Sequence, residues 1–179
     1  MGKRSDFERL PRDLYETPLS AAQPLFPHLS PGLRFIEPFA GAGALVDILE
    51  AQGLVCVGAS DIEPLRPGIL QLDYHDLDLG RWADADCFIS NCPWKREILH
   101  DVIIELSDQL PTWLLFDADW MHTGQARPFM PRLKRIVSVG RVKWMPGTKH
   151  VGMDNAAWYL FGRPDSMTIP APPLFFPRT

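Results

Sequence analysis

The sequence is poor in cysteine, with three in 179 residues, and Cys56, Cys87 and Cys92 stand at no metal-ligand spacing. Two of them fall inside apparent strands, where a thiol behaves as a small buried hydrophobe, so neither a metal site nor a disulfide framework is expected. No apolar run approaches the length that spans a bilayer, although 46% of the residues are apolar. The opening residues, Met1 to Asp6, are charged and lead into no hydrophobic segment, so no secretory signal is expected. Asp6 also stands where a myristoylation pattern requires Ser or Thr. These absences point to a soluble, cytoplasmic protein with no membrane association. Neither an internal repeat nor a linker divides the chain, and its length predicts one domain over 1–179, with a Pro-rich tail from about residue 164 lying along the surface.

Excess positive charge is also missing overall, since the net charge is −4, which taken alone argues against a nucleic-acid binder. The distribution argues the other way. From Met121 onward there are nine basic residues against two acidic ones, so the last third places a basic surface on an acidic body.

Alternating apolar runs and amphipathic stretches predict successive strands and helices. Leu33 to Phe39 reads as a strand running into Gly41-Ala42-Gly43 and then an apolar helix through about Ala51, with Gly53 as its stop signal. Two glycines at that point permit a tight turn and close backbone approach to a ligand. The third glycine of the dinucleotide fingerprint is absent, and Glu37-Pro38 precedes the turn. Glu37 would repel a pyrophosphate but pair with an amino group, so a cofactor carrying an amino acid fits better. A second strand, 54–60, ends at Asp61, where ribose hydroxyls are gripped in doubly wound folds. A third, 68–72, delivers Asp73-Tyr74 to a nucleoside edge, whereas Asp76 and Asp78 read as loop solvation. Upstream, Thr17-Pro18 opens a short helix that Pro24 and Pro27 keep short; Thr17 either caps it or meets a bound carboxylate.

The fourth strand ends in Asn91-Cys92-Pro93-Trp94. An exocyclic amino group presents two N–H donors and needs two acceptors to orient it. The Asn91 side-chain oxygen and the Cys92 backbone carbonyl supply them, Pro93 stiffens the turn, and Trp94 offers a flat face for a planar base. The same four residues also read as a strand end with a core Trp. A helix over 96–110 follows, with Ile98, Leu99, Val102, Ile103 and Leu106 inward, then strands at 112–116, 135–142 and 156–162. Between them, 117–133 shows little periodicity and is expected to act as a lid or substrate-contacting segment, and 143–155 as a mobile basic loop. The order implies a three-layer α/β fold with a mostly parallel seven-stranded sheet.

Together these motifs resemble the class I methyltransferases that use S-adenosylmethionine (SAM), and within them the small phage-type enzymes acting on the adenine amino group of DNA. The resemblance runs from about Tyr15 to Phe161 and rests on Thr17-Pro18, Glu37-Pro38-Phe39-Ala40-Gly41-Ala42-Gly43, Asp61, Asp73 and the turn at 91–94. The segment 140–161, with Pro146-Gly147, His150, Gly152, Asp154-Asn155 and Trp158-Tyr159, also looks like the end of the phage-type domain. It implies a Rossmann-like methyltransferase fold and SAM contacts at Tyr15, Thr17, Pro18, Glu37, Pro38, Phe39, Ala40, Gly41, Gly43, Asp61, Ile62, Asp73, Tyr74 and Asn91. Catalysis would fall to Asn91, Cys92, Pro93 and Trp94, with substrate contacts at Trp94, Lys95, Trp120, Lys143, Lys149 and His150 and no metal. The partner is then nucleic acid, DNA first. The family's first Pro of the turn is Cys92 here, which leaves the accepting carbonyl in place. Alternatives are methylation of RNA adenine, of cytosine N4 or of a protein glutamine, or a catalytically silent cofactor-binding module.

Overall fold

Eight strands form one sheet in the order β3-β2-β1-β4-β5-β7-β6-β8 in the computed structural model, which describes residues 15–145, 152 and 154–164 and the backbone of 175–176. They are β1 (Arg34–Glu37), β2 (Val55–Asp61), β3 (Leu70–Gln71), β4 (Cys87–Ser90), β5 (Thr112–Asp117), β6 (Leu133–Arg141), β7 (Asn155–Phe161) and β8 (Phe175–Phe176). Every pairing is parallel except those of β7, which runs antiparallel to both β5 and β6. The sheet is therefore mixed. It also has one strand more than the sequence predicts, because Phe175 and Phe176 of the Pro-rich tail pair with Ile136 and Val137.

Each central strand is apolar on both faces, as a sheet covered on both sides requires. Phe35, Cys87, Ile89, Trp113, Leu115 and Trp158 pack beneath α1 (Leu19–Ala22) and α2 (Ala44–Glu50). The alternating residues Ile36, Phe88, Leu114, Phe116, Tyr159 and Phe161 pack beneath α3 (Arg96–Ser107). That period of two builds the three layers. Leu99, Val102, Ile103 and Leu106 form the buried stripe of α3 at helical spacing. Beyond its carboxyl end, the Arg132 guanidinium pairs with Asp108 and Arg163 Nε donates to the Asp108 carbonyl at 2.6 Å, placing cations at the negative pole. Helix α2 stops in a left-handed Gly53, whose N–H donates to the Glu50 carbonyl while Leu54 donates back to Leu49.

The stretch 117–133 departs most from the sequence reading. It is two 3₁₀ segments, Ala118–His122 and Gly124–Arg132, that seal the α3 side of the sheet with buried Trp120, Ala126 and Phe129. Pro128 and Pro131 forbid an α-helix, so the helical period that would mark a packed element is missing, while Ala126 and Phe129 keep the three-residue spacing of a 3₁₀ turn. No helix among the described residues is long and apolar enough to cross a membrane.

The chain runs from β1 outward through β2 and β3, then returns to build β4 and β5 on the other side. The gap between the carboxyl ends of β1 and β4 is thus the switch point, where such sheets bind ligands.

Candidate active site

A cavity of about 790 Å³ opens at that switch point. The loop after β1 contributes Pro38 to Ala42, the end of β2 contributes Asp61 and Ile62, and the turn after β3 contributes Asp73, Tyr74 and His75. Asn91, Pro93 and Lys95 reach it from the end of β4, and Tyr15, Glu16 and Thr17 from the segment before α1. All the SAM-binding residues expected from the sequence line this cavity except Pro18 and Gly43.

Those two have other roles. Pro18 is the residue that caps α1, its carbonyl accepting from Ala21 at 2.9 Å; Thr17 does not cap the helix and sits buried in the cavity wall. Gly43 starts α2 with φ of +82°, and a Cβ there would lie 2.4 Å from the Arg66 guanidinium carbon. Its missing side chain makes room for Arg66, which pairs with Asp47 at 2.7 and 2.8 Å.

The electrostatics of the cavity centre on Glu37. Only 2% of it is exposed, and its Oε2 has no hydrogen-bond partner. Burial, and then the neighbouring Asp61 carboxylate, push its pKa well above the usual carboxylate range, with the Arg66 charge and the Ser90 hydroxyl opposing. Asp61 does structural work as well: its Oδ2 accepts from the Gly41 N–H and its Oδ1 from the Glu63 N–H, each at 2.8 Å, so the end of β2 holds the glycine loop in shape. Asp73 caps the next turn through the His75 N–H at 3.1 Å. Tyr74 lies between the rings of Phe39 at 5.3 Å and His75 at 4.0 Å, and burial raises its hydroxyl to about 12. His75 Nδ1 meets both Glu105 oxygens at 2.8 Å, which raises its pKa. Ile62 and Leu65 add apolar side chains more than half exposed at the rim.

At the turn after β4, Asn91 Nδ2 donates to the Tyr15 carbonyl at 3.5 Å and Asn91 Oδ1 accepts from the Trp94 indole N–H at 3.4 Å. The Trp94 ring packs edge-on against Trp144 at 5.6 Å, and Trp144 in turn leans on Tyr15 at 6.5 Å. Asn91 and Tyr15 line the cavity, whereas Trp94 lies outside its lining. The Cys92 side chain is 2% exposed and packs in the α3-side core, where burial raises its thiol to about 12; such a thiol is neutral and no nucleophile. No cluster of potential metal ligands occurs among the described residues.

The expected substrate contacts divide. Lys95 lines the cavity and pairs with Glu97 at 3.3 Å, and Lys143 is exposed one residue from Trp144. Trp120 does not contact the cavity: it is fully buried, packs edge-on against Phe116, Tyr159 and Phe161, and donates its indole N–H to His100 Nε2 at 3.2 Å. A tryptophan in a proline-rich stretch reads as exposed when the partners that bury it come from distant strands. Lys149, His150, Pro146 and Gly147 lie outside the described residues. The sequence reading missed His75 and Leu65 in the cavity wall and Trp144 beside the turn. Of these, only His75 carried a signal, being next to Asp73-Tyr74 at a strand end.

No family model matches the sequence, and no curated protein matches it significantly. Among solved structures, the fold is similar to a dimethyladenosine transferase from Plasmodium falciparum, with a TM-score of 0.52 and 16% identity over 83% of this chain. A SAM-dependent O-methyltransferase from Thermotoga maritima aligns over 80% of the chain with a TM-score of 0.43 and 14% identity. The chain spans 62% and 64% of the lengths of these two proteins. The likeness to the first shows the fold that the sequence motifs imply, a Rossmann-like sheet shared with a methyltransferase.

Proposed function

We propose that the protein is a SAM-dependent methyltransferase acting on the exocyclic amino group of adenine in DNA. The observation that carries this reading is the junction at the switch point, where an acidic cavity lined by a buried, partnerless Glu37 oxygen meets the side chain of Asn91. The residues present fit SAM: Glu37 has a spare acceptor for the ammonium of an amino-acid moiety, Asp61 and Asp73 offer acceptors to a nucleoside, and Ile62 and Leu65 offer apolar cover for its base. When bound, SAM supplies an activated methyl group. A cavity this acidic disfavours a pyrophosphate cofactor and favours a cationic one.

The protein's own part is orientation and electrostatics. Asn91 Oδ1 keeps a lone pair beyond the one that meets Trp94, and with the Cys92 carbonyl it holds the two N–H groups of the target amine. Both acceptors favour the positive charge that develops as the nitrogen attacks. Trp94 provides the stacking face, and Lys95 in the cavity lining and the exposed Lys143 are the cations that would meet a phosphate backbone. RNA adenine is the second reading, because this turn recognises an amino group and not the sugar attached to it. Transfer of a labelled methyl group into DNA, RNA and protein tests all these readings together. Methylated adenine in DNA is the expected product; incorporation only into RNA or protein replaces the substrate, and none into any of them refutes the activity.

A further inference from the structure

We infer that Trp94 is a positioning residue for the Asn91 amide, acting through the hydrogen bond from its indole N–H to Asn91 Oδ1; its kinetic consequence rests on the amino-group methylation proposed above. An asparagine amide has two ends of nearly equal shape and opposite chemistry, since the oxygen accepts and the NH₂ donates. Only the oxygen can receive a proton from a target amine. At this turn two neighbours fix which end points where: the Tyr15 carbonyl accepts from Nδ2 at 3.5 Å, and the Trp94 indole donates to Oδ1 at 3.4 Å. Rotating the amide by half a turn would set NH₂ against the indole N–H and the amide oxygen against the Tyr15 carbonyl. Both bonds are long and each is weak, but one rotation breaks both and creates two like-with-like contacts.

The Trp94 ring is itself held. Trp144 packs against it at a ring-centre distance of 5.6 Å and an angle of 86°, and the same Trp144 leans on Tyr15. One residue from beyond β6 thus supports both neighbours that orient the amide. Stacking on a base requires only a flat ring, which Phe or Tyr would provide, whereas the N–H at this point requires Trp.

The test compares Trp94→Phe, Asn91→Asp and the double variant. Trp94→Phe keeps a ring and removes the donor, so kcat for methyl transfer to adenine-containing DNA should fall about two- to tenfold, the scale of one neutral hydrogen bond, with KM for DNA and SAM affinity little changed. Asp is nearly isosteric with Asn and carries an oxygen at both ends, so half a turn of its carboxylate changes nothing. In the Asn91→Asp background Trp94→Phe should therefore cost nothing further. An increase in KM of equal size in both backgrounds makes Trp94 a stacking residue only and overturns the inference. The contact is also read without turnover, from the Trp94 indole N–H resonance, identified by its loss in Trp94→Phe. That resonance should move in Asn91→Leu, and an unmoved resonance overturns the inference whatever the kinetics. Absence of transfer by the wild type refutes the methylation reading instead, and the resonance still decides the contact.

Discussion

Cofactor binding should release a proton, because the carboxyl best placed to meet an ammonium holds its proton more tightly than an ordinary carboxylate and must give it up to form the ion pair. Glu37 is almost fully buried, its Oε2 has no partner, and its pKa lies well above the usual range through burial and the adjacent Asp61. Only ionised Glu37 makes a charge-assisted bond to an ammonium, so SAM affinity should rise about tenfold per pH unit up to the raised pKa of Glu37 and level off above it. Glu37→Gln removes this titration. Its affinity on the plateau should be about ten- to a hundredfold weaker, the scale of 1.5–3 kcal/mol for a hydrogen bond to a charged group. His75 also lines the cavity with a raised pKa, and its loss of charge with rising pH gives a slope of the same sign. The difference between wild type and Glu37→Gln therefore decides the matter. Calorimetry in buffers of different protonation enthalpy measures the proton directly. Equal slopes in the two proteins, or no proton released by the wild type, would refute the reasoning. Stability follows the opposite sign: the native state binds the Glu37 proton more tightly than the unfolded chain, so stability falls as pH rises from the unfolded carboxylate range through the folded pKa, and Glu37→Gln should flatten that decline.

Two further outcomes follow from placements the structure makes. Asp61→Ala deprives the Gly41 and Glu63 amides of their acceptor, so SAM affinity should fall about ten- to a hundredfold together with a measurable loss of thermal stability; unchanged calorimetric affinity in the folded variant would remove Asp61 from the site. Trp120→Ala opens a cavity among Phe116, Tyr159 and Phe161 and should cost about 3–5 kcal/mol of stability in denaturant titrations, while a stable variant that binds DNA poorly would return Trp120 to the substrate site.

What was legible in the sequence follows from how local its cause is. The glycine turn, the carboxylates ending β2 and β3, and the polar turn after β4 were all readable because an apolar strand that stops at a chemical group announces both its end and the group it carries to the sheet edge. Their convergence into one cavity follows from parallel order alone, since every carboxyl end of β1 to β4 faces the same edge. Trp120 reads as a surface residue, and Trp144 carries no reading of its own, for the same non-local reason. The partners of Trp120 lie on β5 and β7, and those of Trp144 lie at residues 15 and 94, so nothing near either residue says that one is core and the other packs beside the turn after β4. Gly43 shows the same limit: the sequence says that space is needed, and only the fold says that Arg66 fills it. Phe175-Phe176 likewise reads as surface until Ile136 and Val137 are seen to leave an edge open to it.

Cys92 is where sequence and structure bear most directly on one another. Proline at this place in the turn fixes the backbone through its ring, and a cysteine surrenders that constraint. Here the constraint comes from packing instead: the thiol is 2% exposed in the same core as Leu99, Phe88 and Trp82, so the residue is anchored from below while its backbone borders the cavity through Asn91 and Pro93. A buried side chain on one flank and Pro93 on the other leave the carbonyl little freedom to turn away. Restoring the ring should then add little. Cys92→Pro is expected to transfer methyl groups at a rate equal to or modestly above wild type, and to gain at most about 0.4–1 kcal/mol of stability from the reduced freedom of the unfolded chain. A loss of transfer beyond tenfold with SAM affinity intact would show that the Cys92 N–H or thiol itself serves the reaction. Transfer appearing only in Cys92→Pro would show instead that packing does not replace the ring, and that the natural turn binds the cofactor without using it.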